Sequence, residues 1–413
     1  MTTTRDTCLE LDRSDPLGHH REAFVLPDDI IYLDGNSLGA MPHAVPEQVN
    51  KAMHAEWAQG LIRSWNKAGW ITKAMEVGDR IAPLIGAEDG EVVVCDSTSV
   101  NVFKQLASAL RLRPDRKVIV SQAGNFPTDL YMAQGLIGHL DQGHELRLVQ
   151  PGESIADALD DDVAVVMLTH VDFKSGLVHD MDAVTAAAHE CGALMLWDLC
   201  HSAGAMPIGL NAANADLAVG CTYKYLNGGP GAPAFLYVAK RLQSQVRQPL
   251  SGWMGHNAPF DFDIQYEPAG GIERNLSGSH GILGLTAVEA AIEVWDGVDM
   301  ADIRHKSIAL SEMFIELVES RCADQGFELI SPRDATVRGS QISFVHDHGF
   351  EIMQALIGAG VIGDYREPGV LRFGFTPLYV RYVDVWDAVD TLAKIMADEI
   401  WRDPKYAVRS AVT

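Results

Sequence analysis

Four continuous apolar runs between residues 163 and 238 constrain the fold more than any other feature of the chain. The runs are VAVVMLTHV (163–171), ALMLWD (193–198), LAVGCT (217–222) and APAFLYV (232–238). Strands that are buried on both faces have such continuous apolar sequences, whereas a strand with one solvated face alternates. Helical patterns alternate with strand patterns over about 46–290, which is typical of a mainly parallel sheet. The sequence therefore predicts an α/β fold.

The division of the 413-residue chain follows from the same patterns. Residues 1–45 form a polar arm that we assign to the small domain, and 46–290 form the large domain. An amphipathic helix over about 298–323 leads into a smaller α/β domain over 291–413. Its strand candidates are QISFVH (341–346) and GVLRFGFT (369–376).

Charge and composition exclude several classes of partner. The net charge of −24 disfavours nucleic acid and anionic membranes. No apolar run approaches the ~20 residues of a membrane helix, and the N-terminal segment has no apolar stretch typical of a signal peptide. The six cysteines form no CxxC pair, which is typical of free thiols in a reducing compartment. We therefore expect a cytoplasmic enzyme that acts on a small molecule.

Lys224 lies in the most informative segment, CTYKYLNGGPG (221–231). Apolar flanks place this lysine on a turn between two buried strands. Burying an ammonium group without a partner is costly. A Schiff base with an aldehyde cofactor solves that problem, and a lysine that extends from a strand end to solvent is the alternative.

Asp198 ends the apolar run that precedes Lys224. A carboxylate at the carboxyl end of a parallel strand points into the crevice where α/β proteins bind ligands. Pyridoxal phosphate requires such a pair, with a lysine for the imine and a carboxylate for the pyridine nitrogen. Capping of the following helix is the alternative role for Asp198.

A phosphate site is indicated where an amphipathic helix begins at DSTSVN (96–101). Ser97, Thr98 and Ser99 can act as ordinary N-caps, and the same helix start directs free N–H groups and a positive dipole end at an anion. The loop after the next strand carries Phe126 and Asp129. Phe126 is a candidate to stack on a cofactor ring or to belong to the core.

Arg372 lies within an otherwise apolar strand. A buried guanidinium requires a planar anion, and a bidentate carboxylate fits best. The alternative is an internal salt bridge with Asp364 or Glu367. We predict no metal site, because His19–His20 and His346–His348 lack further ligands at metal spacing and fit solvent-exposed histidines better.

Together these segments resemble kynureninases, and most closely the bacterial ones. The matching segments are YLDGNSLG (32–39), LIRSWNKAGW (61–70), DSTSVN (96–101), NFPTD (125–129), WDLCHSAGA (197–205), CTYKYLNGGPGAPAF (221–235), SGWMGH (251–256) and VIGDYREPGVLRFGFTPLY (361–379). The resemblance implies a pyridoxal 5′-phosphate enzyme of fold type I, the aspartate aminotransferase-like fold. It also implies cleavage of L-kynurenine to anthranilate and L-alanine in tryptophan catabolism, by a homodimer with active sites at the subunit interface.

The resemblance also implies roles for individual residues. It assigns Arg372 to the substrate α-carboxylate, Tyr223 to the cofactor phosphate and proton transfer, and His201 to a cofactor contact. Trp253 and Ser279 match positions that the second subunit contributes to the cofactor site. Four more residues are assigned to substrate binding: Ser37 and Trp65 by their positions in matching segments, and Asn275 and His280 by their place in a segment that borders the substrate's aryl ring in the family.

One segment departs from the family pattern. Residues 274–283 read RNLSGSHGIL, where bacterial members usually read close to RFLCGTQPIL. The segment borders the aryl ring of the substrate in the family, so the departures bear on the choice among ring-substituted kynurenines.

Two alternatives stay open from the sequence. The first is another enzyme of this fold, either an aminotransferase or a cysteine desulfurase. A desulfurase needs a nucleophilic cysteine near the small domain, and the only cysteine there, Cys322, falls in a helical pattern. The second alternative is a non-catalytic protein that binds an amino acid, which the presence of Lys224, Asp198 and Arg372 disfavours.

Overall fold

A computed structural model of the chain describes residues 3–409. The strands are β1 (Phe24–Val25), β2 (Ile31–Tyr32), β3 (Met41–Pro42), β4 (Val92–Val94), β5 (Val118–Gln122), β6 (Glu145–Val149), β7 (Val163–Thr169), β8 (Leu194–Asp198), β9 (Leu217–Gly220), β10 (Phe235–Val238), β11 (Glu328–Leu329), β12 (Gln341–Val345), β13 (Val361–Ile362), β14 (Asp364–Arg366) and β15 (Val370–Gly374). The α-helices are α1 (Arg5–Ser14), α2 (Ala44–Lys51), α3 (Ser64–Lys67), α4 (Lys73–Ile81), α5 (Thr98–Leu112), α6 (Pro127–Leu140), α7 (Met181–Glu190), α8 (Lys240–Gln243), α9 (Ile282–Ile292), α10 (Met300–Arg321), α11 (Gly349–Gly358) and α12 (Tyr382–Ala397).

A seven-stranded sheet in the order β4-β10-β9-β8-β7-β5-β6 forms the centre of the molecule. Its neighbouring strands are parallel from β9 through β6, and β10 is antiparallel to both β9 and β4. The predicted mainly parallel sheet is therefore confirmed. β10 is reversed because the segment that joins it to β9 carries no crossover helix, which a parallel connection requires. Lys224 lies in that segment, on a turn between two buried strands as predicted.

A second, four-stranded antiparallel sheet has the order β11-β12-β15-β14. The N-terminal arm joins this half of the molecule, since β2 pairs with β13 and Asp34 forms a bridge with Gly374. A buried ion pair between Asp15 and Lys306 of α10 adds to the attachment. These contacts support the assignment of 1–45 to the small domain, and the three-part division itself stays a prediction.

Element ends differ from the sequence-based bounds where the chain turns toward the crevice. β7 ends at Thr169 rather than at 171, and β9 ends at Gly220 rather than at 222. The residues just beyond these ends leave the sheet, so an apolar run overstates the length of the strand. The helix predicted over 298–323 is α10, which begins after an Asp299 N-cap that accepts from the Ala301 N–H at 2.8 Å.

The expectation of solvent-exposed histidines is wrong for His346. Its ring is buried, and its Nε2 bonds the Gln325 carbonyl at 2.8 Å while its Nδ1 accepts the His348 N–H. The six cysteines are free thiols, as predicted. Within residues 3–409 no group of three or more His, Cys, Asp or Glu side chains is arranged to hold a metal ion. No helix in that range is long and apolar enough to cross a membrane.

Candidate active site

A cavity of about 240 Å³ opens at the carboxyl ends of β7 and β8 and is lined by twelve residues. Eight of them were predicted from the sequence: Thr98, Ser99, Phe126, Asp129, Asp198, His201, Tyr223 and Lys224. They come from four separate segments of the large sheet and its connections. The sheet topology brings them together, because the carboxyl ends of neighbouring parallel strands meet at one edge.

Lys224 is held by a neutral histidine rather than by a carboxylate. Its Nζ lies 2.8 Å from His201 Nε2, and His201 Nδ1 lies 3.0 Å from Gln341 Oε1. The amide nitrogen of Gln341 donates to the Phe173 carbonyl at 3.0 Å, which leaves its oxygen to accept from the histidine. Burial, followed by the Lys224 charge, lowers the pKa of His201 well below 6.5. The neutral ring therefore presents a lone pair to the lysine, and the half-buried Lys224 lines the cavity.

Two carboxyl groups form the floor of the cavity. Asp198 Oδ1 accepts the N–H of Cys200 at 2.7 Å, which fixes its orientation at the end of β8. Burial and the adjacent Asp198 carboxylate raise the pKa of Asp129 well above 3.8. Asp129 Oδ2 is buried without a hydrogen-bond partner among residues 3–409. Ionisation of Asp129 beside Asp198 is therefore disfavoured.

The start of α5 provides an anion site next to these acids. Ser97 is the N-cap and accepts from the Val100 N–H at 3.4 Å, so its hydroxyl is used within the helix. Thr98 and Ser99 line the cavity instead, at the positive end of the helix dipole. Burial raises the pKa of Tyr223 above 10, so its hydroxyl remains a hydrogen-bond donor.

Phe126 lies at the mouth of the cavity. It is 43% exposed and makes an edge-to-face contact with Phe173, with ring centroids 5.3 Å apart. This exposure excludes the core as its location. The exposed ring is available to stack on a planar ligand.

Arg372 adjoins the cavity through Phe173, whose carbonyl accepts from Nη1 at 2.5 Å. Both Nε and Nη2 donate to Asp364, and Nη2 also donates to Ser37 Oγ at 3.0 Å. The side chains of Arg372 and Asp364 are 2% and 1% exposed. The internal salt bridge considered for Arg372 is therefore present, and Asp364 rather than Glu367 is the partner. Arg366 pairs with the same carboxylate at 2.7 Å.

The remaining predicted residues lie outside this cavity. Ser279 and His280 line a separate groove of about 400 Å³. His280 Nε2 bonds the Trp70 carbonyl at 2.7 Å, and its ring packs against Trp65 with centroids 5.8 Å apart. Trp253 is 38% exposed.

Asn275 is fully buried, and Arg274 and Leu276 on either side of it are buried as well. Its side-chain amide nitrogen donates to the Ile272 carbonyl at 3.0 Å, and its main-chain carbonyl accepts from Lys104 Nζ at 2.7 Å. These contacts are structural ones within the chain, and they give no support to a contact of Asn275 with substrate.

Sequence reasoning missed several residues of the site. Thr128, Thr169, Phe173 and Cys200 also line the cavity. Cys200 follows the same signal as Asp198, since it lies just beyond the carboxyl end of a predicted strand. Thr169 falls inside the predicted run 163–171 and becomes a strand end only in the structure. Gln341 carries no local signal, because its contact with His201 joins positions 140 residues apart.

Comparisons with known proteins agree on one family. A family model described as the kynureninase C-terminal domain matches residues 303–392. A kynureninase of Burkholderia pseudomallei (strain 1106a) is 57% identical over 414 residues, which cover 99% of this chain and 100% of the relative. A kynureninase of Pseudomonas fluorescens is 53% identical, with both chains covered completely.

Solved structures with the same fold are more distant in sequence. The cysteine desulfurase of Thermococcus onnurineus NA1 matches with a TM-score of 0.77 and 20% identity, covering 92% of this chain and 98% of that one. A variant of C-DES with glycine covalently linked to its PLP cofactor matches with a TM-score of 0.75 and 14% identity, covering 96% and 100%. At such identities the likeness concerns the fold alone.

The residues of the cavity fit pyridoxal phosphate. The lysine suits the aldehyde of that cofactor, the carboxylate at a strand end suits its ring nitrogen, and the helix start suits its phosphate. A buried carboxyl oxygen without a partner lies in the same cavity. Fold and site together define a pyridoxal phosphate-dependent enzyme of fold type I. Within that class, the identity over the whole chain is decisive: this chain belongs to the kynureninase family, hydrolases that act on carbon–carbon bonds.

Proposed function

We propose that this chain hydrolyses the Cβ–Cγ bond of L-kynurenine, adding one water to give anthranilate and L-alanine. The observation that carries the proposal is the meeting of Lys224, Asp198 and His201 in one cavity, in a chain 57% identical to a kynureninase. When bound, pyridoxal phosphate supplies an electron sink for carbanions formed on the amino-acid substrate.

The residues that hold the cofactor follow from their chemistry. Thr98, Ser99 and the Tyr223 hydroxyl bind the phosphate at the positive end of α5. Asp198 would accept the N–H of the pyridine ring, and the raised pKa of Asp129 would limit the repulsion between the two carboxyl groups. Phe126 covers one face of the ring.

Proton transfers are assigned to two side chains. Lys224 would hold the cofactor through its amine, and its free amine would accept the α-proton of the substrate. The neutral His201 stabilises the amine of Lys224 through its Nε2 lone pair. Tyr223 stays protonated because of its raised pKa, and it donates the proton that the β-carbon needs after the bond to the aroyl carbon breaks.

Arg372 and Ser37 form the proposed site for the substrate α-carboxylate. Asp364 occupies one edge of the guanidinium, and the Ser37 hydroxyl bonds Nη2 on the other. The carboxylate would bind at the edge formed by Nη1 and Nη2, where it would replace Ser37 on Nη2 and compete with the Phe173 carbonyl for Nη1. Asp364 holds the guanidinium in place.

A homodimer completes the site in this proposal. Trp253 and Ser279 lie outside the cofactor cavity of their own chain, so they act on the neighbouring subunit. Three apolar side chains between Trp253 and Ser279 are strongly exposed: Phe260 (62%), Phe262 (78%) and Ile264 (94%). Burying such a patch favours association. We assign this dimer to the cytoplasm, since free thiols suit a reducing compartment.

Ring-substituted kynurenines are proposed as additional substrates. His280 Nδ1 is buried and has no hydrogen-bond partner among residues 3–409, while Nε2 bonds the Trp70 carbonyl. A ring hydroxyl can satisfy that nitrogen, and buried polar groups discriminate against substrates that leave them unpaired. Trp65 lies beside His280 and limits the space next to the ring.

The desulfurase alternative lacks its nucleophile. Cys322 is 4% exposed at the end of α10, and burial raises its pKa to about 11. A thiol in this state is neither accessible nor ionised near neutral pH.

The test is to mix the cofactor-loaded protein with kynurenine, 3-hydroxykynurenine and a ring-halogenated kynurenine. We expect alanine and the matching aromatic acid in equal amounts.

Lys224→Ala should abolish turnover, and Arg372→Lys should lower kcat/KM by at least ~1–3 kcal/mol without affecting cofactor binding. Absence of alanine would refute the reaction. A preference for plain kynurenine by about 3–4 kcal/mol would refute only the wider substrate range.

A further inference from the structure

The far end of α5 forms part of a second groove, which is distinct from the cofactor cavity. Thr98 at the start of the helix lines the cofactor cavity, whereas Leu110 and Arg111 near its end line a groove of about 420 Å³. With a rise of about 1.5 Å per residue, the two ends lie about 20 Å apart. No residue lines both cavities, so the groove is separate from the proposed reaction.

The floor of the groove is apolar and is built by two helices. Phe103, Ala107 and Leu110 are spaced three and four residues apart on α5, and Leu136 and Leu140 are spaced four apart on α6. Such spacings place side chains on one face of a helix. Phe103 and Leu140 are only partly buried, so the floor retains apolar surface that a ligand would cover.

The rim of the groove is basic. Arg111, Lys117, His139 and His144 line it, and no Asp or Glu does. Within residues 3–409, the side chains of Arg111 and Lys117 form no ion pair and no hydrogen bond. Arg111 and Lys117 are therefore two cations without counter-charges in a chain with 56 acidic and 32 basic residues.

A buried nitrogen at this rim also lacks a partner. His144 Nδ1 is shielded from solvent, and no hydrogen bond reaches it from any described residue. A buried polar atom without a partner is costly. An acceptor oxygen bound between Lys117 and His144 would satisfy it.

We infer that this groove binds a small monocarboxylate with an apolar body. Arg111 and Lys117 hold the carboxylate, with His144 as an additional donor, and the apolar body lies on the floor between α5 and α6. The volume is within the range of small-molecule sites. Inorganic anions are excluded as the ligand because they would leave the apolar floor uncovered. Cations are excluded because the basic rim would repel them. Aromatic and aliphatic acids share the required chemistry.

The experiment measures binding of benzoate and octanoate to the cofactor-loaded protein by calorimetry. Inorganic phosphate and benzylamine serve as ligands that lack the apolar body or the negative charge. The visible absorbance of the cofactor is followed in parallel, because a carboxylate in the cofactor cavity perturbs it. Arg111→Ala/Lys117→Ala is compared with Arg402→Ala/Lys405→Ala, which removes the same charges from exposed positions outside the groove.

We expect at least one of the two acids to bind without changing the cofactor spectrum. The groove variant should weaken that binding by at least about tenfold, while the control variant and the turnover of kynurenine remain unchanged. Leu140→Glu should also abolish binding, since it adds a negative charge to the floor. Tighter binding of benzoate would indicate an aromatic acid as the ligand, and tighter binding of octanoate would indicate an aliphatic acid. No binding, equal binding of phosphate, or unchanged binding by the groove variant would overturn the inference.

Discussion

Asp129 and Asp198 show how two identical side chains acquire different states in one cavity. Both are nearly inaccessible to solvent, so ionising both would place two like charges side by side in the interior. Burial and the neighbouring Asp198 raise the pKa of Asp129, which disfavours the state in which both acids are ionised. Asp198 is then the group that can accept the N–H of the cofactor ring.

This arrangement predicts a change in pH dependence for Asp129→Asn. Between the ordinary pKa of 3.8 and its raised value in the folded state, the folded protein binds one more proton than the unfolded chain. The free energy of unfolding therefore falls as pH rises through that window. Asparagine does not titrate, so the variant should lack this contribution.

Thermal unfolding of the cofactor-free proteins from about pH 4 upward checks the prediction, because that is where the unfolded acid begins to ionise. The stability of the wild type relative to Asp129→Asn should decline with rising pH. As a comparison, Asp198→Asn should weaken cofactor binding. A pH-independent difference between wild type and Asp129→Asn would show that Asp129 is ionised.

At the scale of elements, α5 links the proposed phosphate site to the core of the large sheet. Its N-cap, Ser97, uses its hydroxyl to bond the Val100 N–H, which keeps the first turn in place for Thr98 and Ser99. Loss of an N-cap costs about 1 kcal/mol. We therefore expect Ser97→Ala to lower the free energy of unfolding by about that amount, and to weaken cofactor affinity.

Asp180→Ala provides the matched control. Asp180 caps α7 and accepts the Ala183 N–H at 2.9 Å, but it does not line the cofactor cavity. Its loss should lower stability similarly and leave cofactor affinity unchanged. Denaturant unfolding and cofactor titration of both variants check this. Equal cofactor affinity in the two variants would show that the cap does not position the phosphate site.

The sequence was sufficient to predict the elements that carry strong local patterns. Buried parallel strands and the turn of Lys224 can be predicted because each is encoded by a local pattern: an apolar run for a strand, and a glycine-rich segment for the turn. The reversal of β10 was missed, since strand direction depends on the length of the connection. Gln341 and Thr169 were not assigned to the site, because their contacts arise from packing between distant segments. Local signals do not report such contacts.

At the scale of the whole molecule, the N-terminal arm is attached to the C-terminal half by an ion pair in the interior. Lys306 Nζ lies 2.6 Å from Asp15, and their side chains are 4% and 2% exposed. Removing one partner of a buried pair leaves an uncompensated charge. Asp15→Ala should therefore lower the free energy of unfolding by about 3–5 kcal/mol.

Arg5→Ala is the control for the arm, because it breaks the exposed pair between Arg5 and Asp387. Exposed ion pairs contribute little, so its effect should be much smaller than that of Asp15→Ala. Denaturant unfolding of both variants provides the comparison. Similar losses from both would mean that the buried pair does not anchor the arm.

The final prediction concerns sites shared between subunits. If Trp253 acts on the neighbouring subunit, then Lys224→Ala and Trp253→Ala inactivate different halves of the same site. A mixed dimer contains one site with both defects and one site with neither. Because random re-association makes half of the dimers mixed, an equal mixture of the two inactive variants should recover about a quarter of wild-type activity.

The mixture is unfolded mildly, refolded with cofactor and assayed with kynurenine, and light scattering confirms the dimer. Refolding each variant alone is the control. Dimers that form but recover no activity would place Trp253 in the site of its own chain.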